Sequence, residues 1–115
     1  MSKLPALNRN TDFRRIYYRG KNAASPLLVT YVMKNRAGFN RVGITSGKKI
    51  GNAVKRNRAR RLIREAYRQL RPQVAEGFDL VFVARAKTVS AKMSGVEDAM
   101  RRQLTSLGLI GSAVK

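Results

Sequence analysis

The sequence contains no cysteine, no histidine and no tryptophan. Without cysteine the chain has no disulfides and no thiolate chemistry, and without histidine it also lacks the imidazole acid–base group and the usual zinc ligands. Acidic residues are scarce as well, at 6 against 25 lysines and arginines. The chain therefore has few side chains suited to covalent, acid–base or metal-dependent catalysis, and we predict no catalytic residue in it.

The few acidic residues do not form an evident metal site. Glu97 and Asp98 are adjacent at the start of a predicted helix, where carboxylates interact favourably with the helix dipole. Neighbouring helix positions do not face one another, so the pair is poorly placed to chelate an ion. We predict a structural role for both residues and no metal bound by the protein.

Long apolar runs are absent. The 43% of apolar residues occur in short segments, and none approaches the roughly eighteen consecutive residues of a membrane-spanning helix. The chain does not begin with a signal-peptide pattern, so we expect a cytoplasmic protein. We also expect one domain over residues 1–115 with a modest core, and frayed ends at about 1–6 and 109–115.

What the sequence does have is positive charge, a formal net charge of +19 at pH 7. Self-repulsion of this size disfavours a compact state unless a polyanion neutralises it. Nucleic acid is the polyanion that we favour. A membrane-active cationic helix is the alternative, but the most basic segment, 48–71, has no Trp or Phe to anchor in a bilayer.

That segment reads KKIGNAVKRNRARRLIREAYRQLR and holds ten of the 25 basic residues with one acid, Glu65. Asn52 can cap a helix and Pro72 prevents its continuation, so we predict a helix over about 52–71. A merely solvated charged face normally mixes acids with bases, and here the acids are missing. At 100° per residue the apolar residues fall on one side, and the other side carries Asn57, Arg60, Arg61, Arg64, Arg68 and Arg71.

The remaining elements follow from apolar periodicity and turn residues. Both faces of the first predicted strand are mostly apolar, so we expect helices to cover the sheet at least partly on both sides. A further short strand is possible in 21–26 or 46–50. The predicted elements are a helix at 10–19 capped by Asn10 or Thr11, strands at 27–34 and 39–45 joined as an antiparallel hairpin, a strand at 78–84, and a helix from Ser94 to Gly108.

Aromatic residues near the N-terminus allow two interpretations. Phe13 and Tyr17 are one helical turn apart beside Arg14, Arg15 and Lys21, and such a mixture of flat rings and cations suits unpaired bases and their phosphates. The same spacing is equally consistent with core packing, and Tyr31 is either a core ring or the floor of a groove. Separated aromatic rings suit the splayed bases of single-stranded RNA. The sequence also shows no dimer seam and no pattern that would read a DNA groove, so we favour RNA over DNA.

The string KKIGNAVKRNRARRLIREAY resembles the signature of the bacterial ribonuclease P protein subunit, with its Arg-Asn-Arg core at Arg56-Asn57-Arg58. The flanks RVGIT, FDLVFVAR and TDFRRIYYRGK agree, so the resemblance covers roughly residues 7 to 107. It implies an α+β fold, an α/β two-layer sandwich in α-β-β-β-α-β-α order. The implied sheet is four-stranded and mixed, with a left-handed β-α-β crossover against the usual right-handed rule.

The resemblance also implies a function, namely help in removing the 5′ leader from precursor tRNA. The catalyst would be the large ribonuclease P RNA, with Mg²⁺ bound by that RNA and one protein monomer per RNA. A general RNA-binding protein of the ribosomal kind, without a role in tRNA processing, is the alternative. The residues implied to contact the catalytic RNA are Arg56, Asn57, Arg58, Arg60, Arg61, Arg64 and Arg68, and those implied to contact the leader are Phe13, Tyr17, Lys21, Tyr31, Lys48 and Lys49.

Overall fold

A computed structural model describes residues 5–7 and 9–111 of the chain. Four strands form one mixed sheet in the order β1-β2-β4-β3, which confirms the predicted α+β fold. Short 3₁₀ turns at Lys48–Ile50, Arg71–Gln73 and Ala86–Thr88 connect the main elements. Those elements are α1 (Asn10–Arg19), β1 (Lys21–Ala24), β2 (Leu28–Lys34), β3 (Arg41–Thr45), α2 (Ala53–Leu70), β4 (Phe78–Ala84) and α3 (Met93–Ser106).

The predicted hairpin between the second and third strands is wrong, because β4 lies between them. β4 pairs antiparallel with β2 and parallel with β3. Its residues 79–82 are all buried, and a strand apolar on both faces is most stable in the middle of a sheet. The connection from β2 to β3 instead crosses the start of β4, where the Asn40 carboxamide oxygen accepts from the Phe78 amide at 2.8 Å.

The extra strand expected in 21–26 or 46–50 is present in the first of these segments. β1 runs antiparallel to β2, with Lys21 opposite Val32 and Ala24 opposite Val29. The second segment contains the 3₁₀ turn Lys48–Ile50 instead. The parallel pair β3 and β4 is joined through α2, as the implied crossover requires, and the left-handedness of that connection stays a prediction.

The two faces of the sheet are covered unequally. Leu28 and Val32 of β2, with Leu80 and Phe82 of β4, pack against α2 and α3 in the main core. On the opposite face the short α1 contributes Ile16, which packs with Val81 in a smaller cluster. This arrangement confirms the prediction that the sheet is covered at least partly on both sides, and it leaves part of the second face open beside α1.

Helix α2 has the predicted boundaries to within one residue. The Asn52 side chain caps it by accepting from the Lys55 amide at 3.0 Å, and Pro72 lies in the 3₁₀ turn that follows. Its buried side includes Tyr67, a residue not recognised from the sequence as part of the core. The Tyr67 hydroxyl accepts from Asn40 at 3.1 Å, which satisfies this polar group within the core.

The ends of the other helices differ from expectation. Arg9 occupies the cap position of α1 without a side-chain hydrogen bond, so the predicted cap at Asn10 or Thr11 is wrong. The N-cap of α3 is Lys92 and not Ser94, so the helix begins earlier than expected. Gly108 does follow the end of α3, with the positive φ of 88° that glycine adopts readily.

The predicted frayed ends are only partly within the described residues, since 1–4 and 112–115 lie outside them. Ala6 bridges to Val42 at the free edge of β3, and Ile110 bridges to Val74. Leu109 and Ile110 are buried. The side chains of Leu109 and Ile110 pack in the main core, and fraying of the ends stays a prediction.

Candidate nucleic-acid interface

The outward side of α2 presents the predicted arginines to solvent. Arg60, Arg61 and Arg64 are exposed, and none of their side chains forms a hydrogen bond or ion pair with any described residue. The ion pairs formed by Arg15, Arg41, Arg101 and Arg102 lie elsewhere, on α1, β3, β4 and α3. Unpaired guanidinium groups are suited to phosphate, which they bind through two parallel hydrogen bonds. We call the predicted set Arg56, Asn57, Arg58, Arg60, Arg61, Arg64 and Arg68 the Arg face.

Arg56 and Arg58 of the Arg face are partly engaged within the protein. The Arg56 guanidinium donates to the Gly51 carbonyl at 3.2 Å, and the Arg58 guanidinium donates to the Val89 carbonyl at 2.7 Å. These bonds join the first turns of α2 to the loops on either side. Asn57 is exposed between them, and Arg68 is half-buried further along the helix.

The basic turn before α2 adds two cations. Lys48 and Lys49 are exposed in the 3₁₀ turn, while their neighbour Ile50 is buried and anchors the turn to the core. Gly51 joins this turn to α2 with a φ of 134°, a conformation that L side chains rarely adopt. The two lysines therefore lie between the end of β3 and the start of the Arg face.

The structure brings the three predicted aromatic residues into one group, which we call the aromatic patch. The ring centroids of Phe13 and Tyr17 are 6.4 Å apart, and those of Tyr17 and Tyr31 are 4.8 Å apart in an edge-to-face arrangement. Phe13 and Tyr31 are half-buried, and Tyr17 is exposed. The rings thus pack on one another and still offer surface to a base, so both interpretations of the sequence are partly realised.

Gly43 of β3 creates the space that Phe13 occupies. A Cβ atom at this position would lie 2.5 Å from Cε1 and 2.8 Å from Cζ of the Phe13 ring. The strand can therefore accommodate the ring only because residue 43 has no side chain. Phe13 consequently lies directly against the backbone of β3.

Lys21 is separated from the aromatic patch by the sheet itself. It lies opposite Val32, whose side chain belongs to the main core, and the residue opposite Tyr31 is Asn22. Opposed residues of an antiparallel pair project to the same face. Asn22, rather than Lys21, therefore shares the face of the aromatic patch, and Lys21 lies at the edge of the other face.

The Arg face and the aromatic patch both adjoin β3, the first through Arg60 and Arg64 and the second through Phe13, which packs against Gly43. A hollow of about 260 Å³ there is lined by Leu7, Gly43, Arg60 and Arg64, among others. Leu7 is held in place by two backbone bonds between 5–7 and Val42, at 3.0 and 2.8 Å. One extended polyanion could thus contact both surfaces across this strand.

A buried carboxylate, Asp79 of β4, binds Arg41 of β3 and lies near α1, and it was not recognised from the sequence. Asp79 accepts from Arg41 through both oxygens, at 2.8 and 2.9 Å, and from Asn35 at 2.8 Å. Arg15 of α1 approaches it at 3.8 Å. The hydrogen bonds to Asp79 raise the pKa of Arg41, and burial opposes this in part. The signal available in the sequence was a lone acid in an apolar strand, which requires a partner when buried.

Comparison with known proteins identifies the relationship. A family model described as Ribonuclease P matches residues 1–108. The chain belongs to the ribonuclease P protein family. A ribonuclease P protein component from Alkaliphilus oremlandii is 41% identical over 114 residues, covering 99% of this chain and 100% of the relative. One from Thermoanaerobacter sp. is 42% identical over 100 residues, covering 87% and 86%.

Solved structures of ribonuclease P proteins share the fold. The protein from Staphylococcus aureus is 28% identical and superposes with a TM-score of 0.83, over 95% of this chain and 100% of that one. The protein from Thermotoga maritima is 28% identical with a TM-score of 0.76, over 84% and 92%. Among the described residues of the present family member, no helix is long and apolar enough to cross a membrane, and no three acids gather to hold a metal ion.

Proposed function

We propose that the chain is the protein subunit of ribonuclease P, which binds the catalytic RNA and the 5′ leader of precursor tRNA. The family's general function is tRNA processing together with an RNA subunit. The observation that carries the finer proposal is that two surfaces with different chemistry, the Arg face and the aromatic patch, both adjoin β3. We assign the protein to the cytoplasm, as one monomer per RNA.

The Arg face is proposed to bind the ribonuclease P RNA. Its exposed arginines have no acidic partner among the described residues, so they are available for phosphate. Each phosphate contact releases condensed counterions, so assembly on the RNA should weaken steeply with salt. Arg56 and Arg58 would combine this contact with their bonds to the neighbouring loops.

The aromatic patch is proposed to receive the single-stranded leader. Phe13, Tyr17 and Tyr31 offer ring surface on which unpaired bases can stack, and Lys48 and Lys49 lie beyond the end of β3, where they could contact phosphates. Lys21 would reach the leader only from the edge of the sheet. Because mature tRNA has no leader, these contacts would raise the affinity of the enzyme for precursor alone.

Catalysis is assigned to the RNA, with Mg²⁺ held by the RNA rather than by the protein. The chain has no histidine or cysteine with which to activate a water molecule or a metal. Its role in the reaction would then be to position the substrate and to stabilise the RNA, both by binding.

The experiment that tests this proposal is cleavage of a leader-bearing precursor tRNA by a bacterial ribonuclease P RNA at low Mg²⁺. We expect the RNA alone to cleave poorly, the protein alone not to cleave, and the mixture to cut at the mature 5′ end. If the protein binds the RNA but leaves cleavage unchanged, the subunit assignment fails and general RNA binding replaces it.

A further inference from the structure

The outer face of α1 carries the most exposed large ring in the described part of the chain. Tyr18 is 89% exposed, compared with 45% for Phe39 and 40% for Tyr17. It belongs neither to the aromatic patch nor to the Arg face. A single exposed tyrosine is unremarkable by itself, so its neighbours decide whether it marks a binding surface.

Those neighbours are arginines. Tyr18 lines a shallow depression together with Arg14, Arg15 and Arg19. Arg15 is engaged by Asp12 at 3.0 Å and approaches Asp79 at 3.8 Å. The side chains of Arg14 and Arg19 have no ion pair or hydrogen bond to any described residue. The ring is thus flanked by two cations without a partner and by no free acid.

The position of Tyr18 on the helix extends the aromatic patch outward. At about 100° per residue, Arg14 lies between Tyr17 and Tyr18 around the helix axis, one turn before Tyr18. The buried Ile16 is on the side of α1 that faces the sheet, and Tyr18 is about 160° away from it. The arc from Tyr17 through Arg14 to Tyr18 therefore alternates ring, cation and ring across the solvent side of α1.

We propose that this outer face is a third RNA-contact surface, on which one unpaired base stacks against Tyr18 while Arg14 and Arg19 bind the adjacent phosphates. The inference rests on the proposed function and extends it beyond the two surfaces described above. RNA is favoured over a protein or a membrane because the surface combines one ring with unpaired cations and has no further apolar residue to bury.

The test uses the full chain assembled with a bacterial ribonuclease P RNA. Tyr18→Ala removes the ring, Tyr18→Phe keeps it, and Phe39→Ala removes the next most exposed ring of the described residues, in the loop before β3. Two affinities are measured for each variant, that of the protein for the catalytic RNA and that of the holoenzyme for precursor tRNA. Melting curves establish that each variant is folded, as expected for a side chain exposed to solvent.

We expect Tyr18→Ala to weaken one of the two affinities by roughly fivefold, the lower end for a stacked base. Tyr18→Phe and Phe39→Ala should match the wild type. Loss in the first measurement identifies the catalytic RNA as the source of the nucleotide, and loss in the second identifies the precursor. Arg14→Ala should reduce the salt slope of the same affinity by roughly 0.7 to 0.9.

Three results would overturn the inference. These are wild-type affinities for Tyr18→Ala, an equal loss in Tyr18→Phe, or an equal loss in Phe39→Ala. Failure of the proposed function is separate, because the wild-type protein itself would then leave cleavage unchanged. If the wild-type protein supports cleavage and Tyr18→Ala shows wild-type affinities, only the proposal of a third surface fails.

Discussion

The Arg face and the aromatic patch are built in different ways. The Arg face belongs to one helix, and its central arginines are exposed with no partner among the described residues. The aromatic patch is assembled from α1 and β2, and Phe13 fits only because β3 has a glycine beneath it. One surface depends on local sequence, and the other depends on how three elements pack.

This difference has a consequence for binding. Guanidinium groups attract phosphate at a distance and without regard to base sequence, and their contribution falls with added salt. Stacked rings act only in contact, they bind unpaired bases, and salt affects them little. The two surfaces should therefore separate experimentally into a salt-sensitive assembly function and a salt-insensitive leader function.

The largest effect is expected from the double variant Arg60→Ala/Arg64→Ala. Two charge-assisted contacts should contribute about 3 kcal/mol, so affinity for the ribonuclease P RNA should fall roughly a hundredfold. The salt slope should become shallower by roughly 1.4 to 1.8. Titration of labelled RNA at several salt concentrations measures both quantities.

The matched control for that variant is Arg101→Ala/Arg102→Ala, which removes the same charge from α3. Arg101 and Arg102 are paired with Glu97 at 3.3 Å and Asp98 at 3.2 Å, so they are less available for phosphate. A similar loss in both double variants would show that net charge, rather than the Arg face, determines the affinity.

The next effect concerns the support of the aromatic patch. Gly43→Ala places a methyl group where the Phe13 ring lies, so we expect a loss of stability of about 2 kcal/mol together with weaker leader binding. Assembly with the RNA should be unchanged. Gly47→Ala is the control, because a Cβ atom there has no neighbour within 4 Å. Unaltered leader binding in a destabilised Gly43→Ala protein would contradict the proposed role of Phe13.

A smaller effect is expected from removing one ring of the patch. Tyr31→Ala should reduce the preference of the holoenzyme for precursor over mature tRNA by about 1 kcal/mol, or roughly fivefold. The salt slope of RNA assembly should stay at its wild-type value, as measured by the same titration. The two-surface comparison collapses if Tyr31→Ala and Arg60→Ala/Arg64→Ala produce the same pattern of losses.

How much of the fold could be predicted from the sequence depends on whether the interactions involved are local or distant along the chain. α2 was predicted from its sequence because its apolar period, its cap at Asn52 and its stop at Pro72 are all local signals. The position of β4 between β2 and β3 was not predicted, because the pairing of strands depends on burial across the whole sheet. The predicted hairpin gave the opposite directions of β2 and β3 correctly, but it could not indicate that another strand lies between them.

The candidate site shows the same division. The spacing of Phe13 and Tyr17 predicted their shared face, because both lie on one helix. The position of Lys21 required the register of β1 against β2, which the sequence does not reveal, and this register places it across from Val32. Resemblance to a family supplied residue roles that spacing left open, and those roles stay predictions until tested.

The smallest effect concerns the buried side of the helix that carries the Arg face. Burial raises the pKa of Tyr67, and the hydrogen bond from Asn40 opposes this in part. Because the pKa is raised in the folded state, the contribution of Tyr67 to stability is complete below the pKa of the unfolded chain, about 10. This contribution is lost as the pH rises through the pKa of the folded protein. The free energy of unfolding should thus fall more steeply between about pH 9 and about pH 11 in the wild type than in Tyr67→Phe.

Urea unfolding at both pH values measures this difference, and titration of the lysines cancels between the two proteins. At neutral pH the substitution should cost no more than about 1 kcal/mol, because Asn40 keeps its bond to the Ala75 carbonyl at 2.9 Å. Tyr18→Phe, at an exposed position, should follow the wild-type curve throughout. If the free energy of unfolding of the wild type and of Tyr67→Phe fell equally with pH, the Tyr67 phenol would ionise as readily in the folded protein as in the unfolded chain. The packing beneath the Arg face would then be looser than its buried contacts indicate.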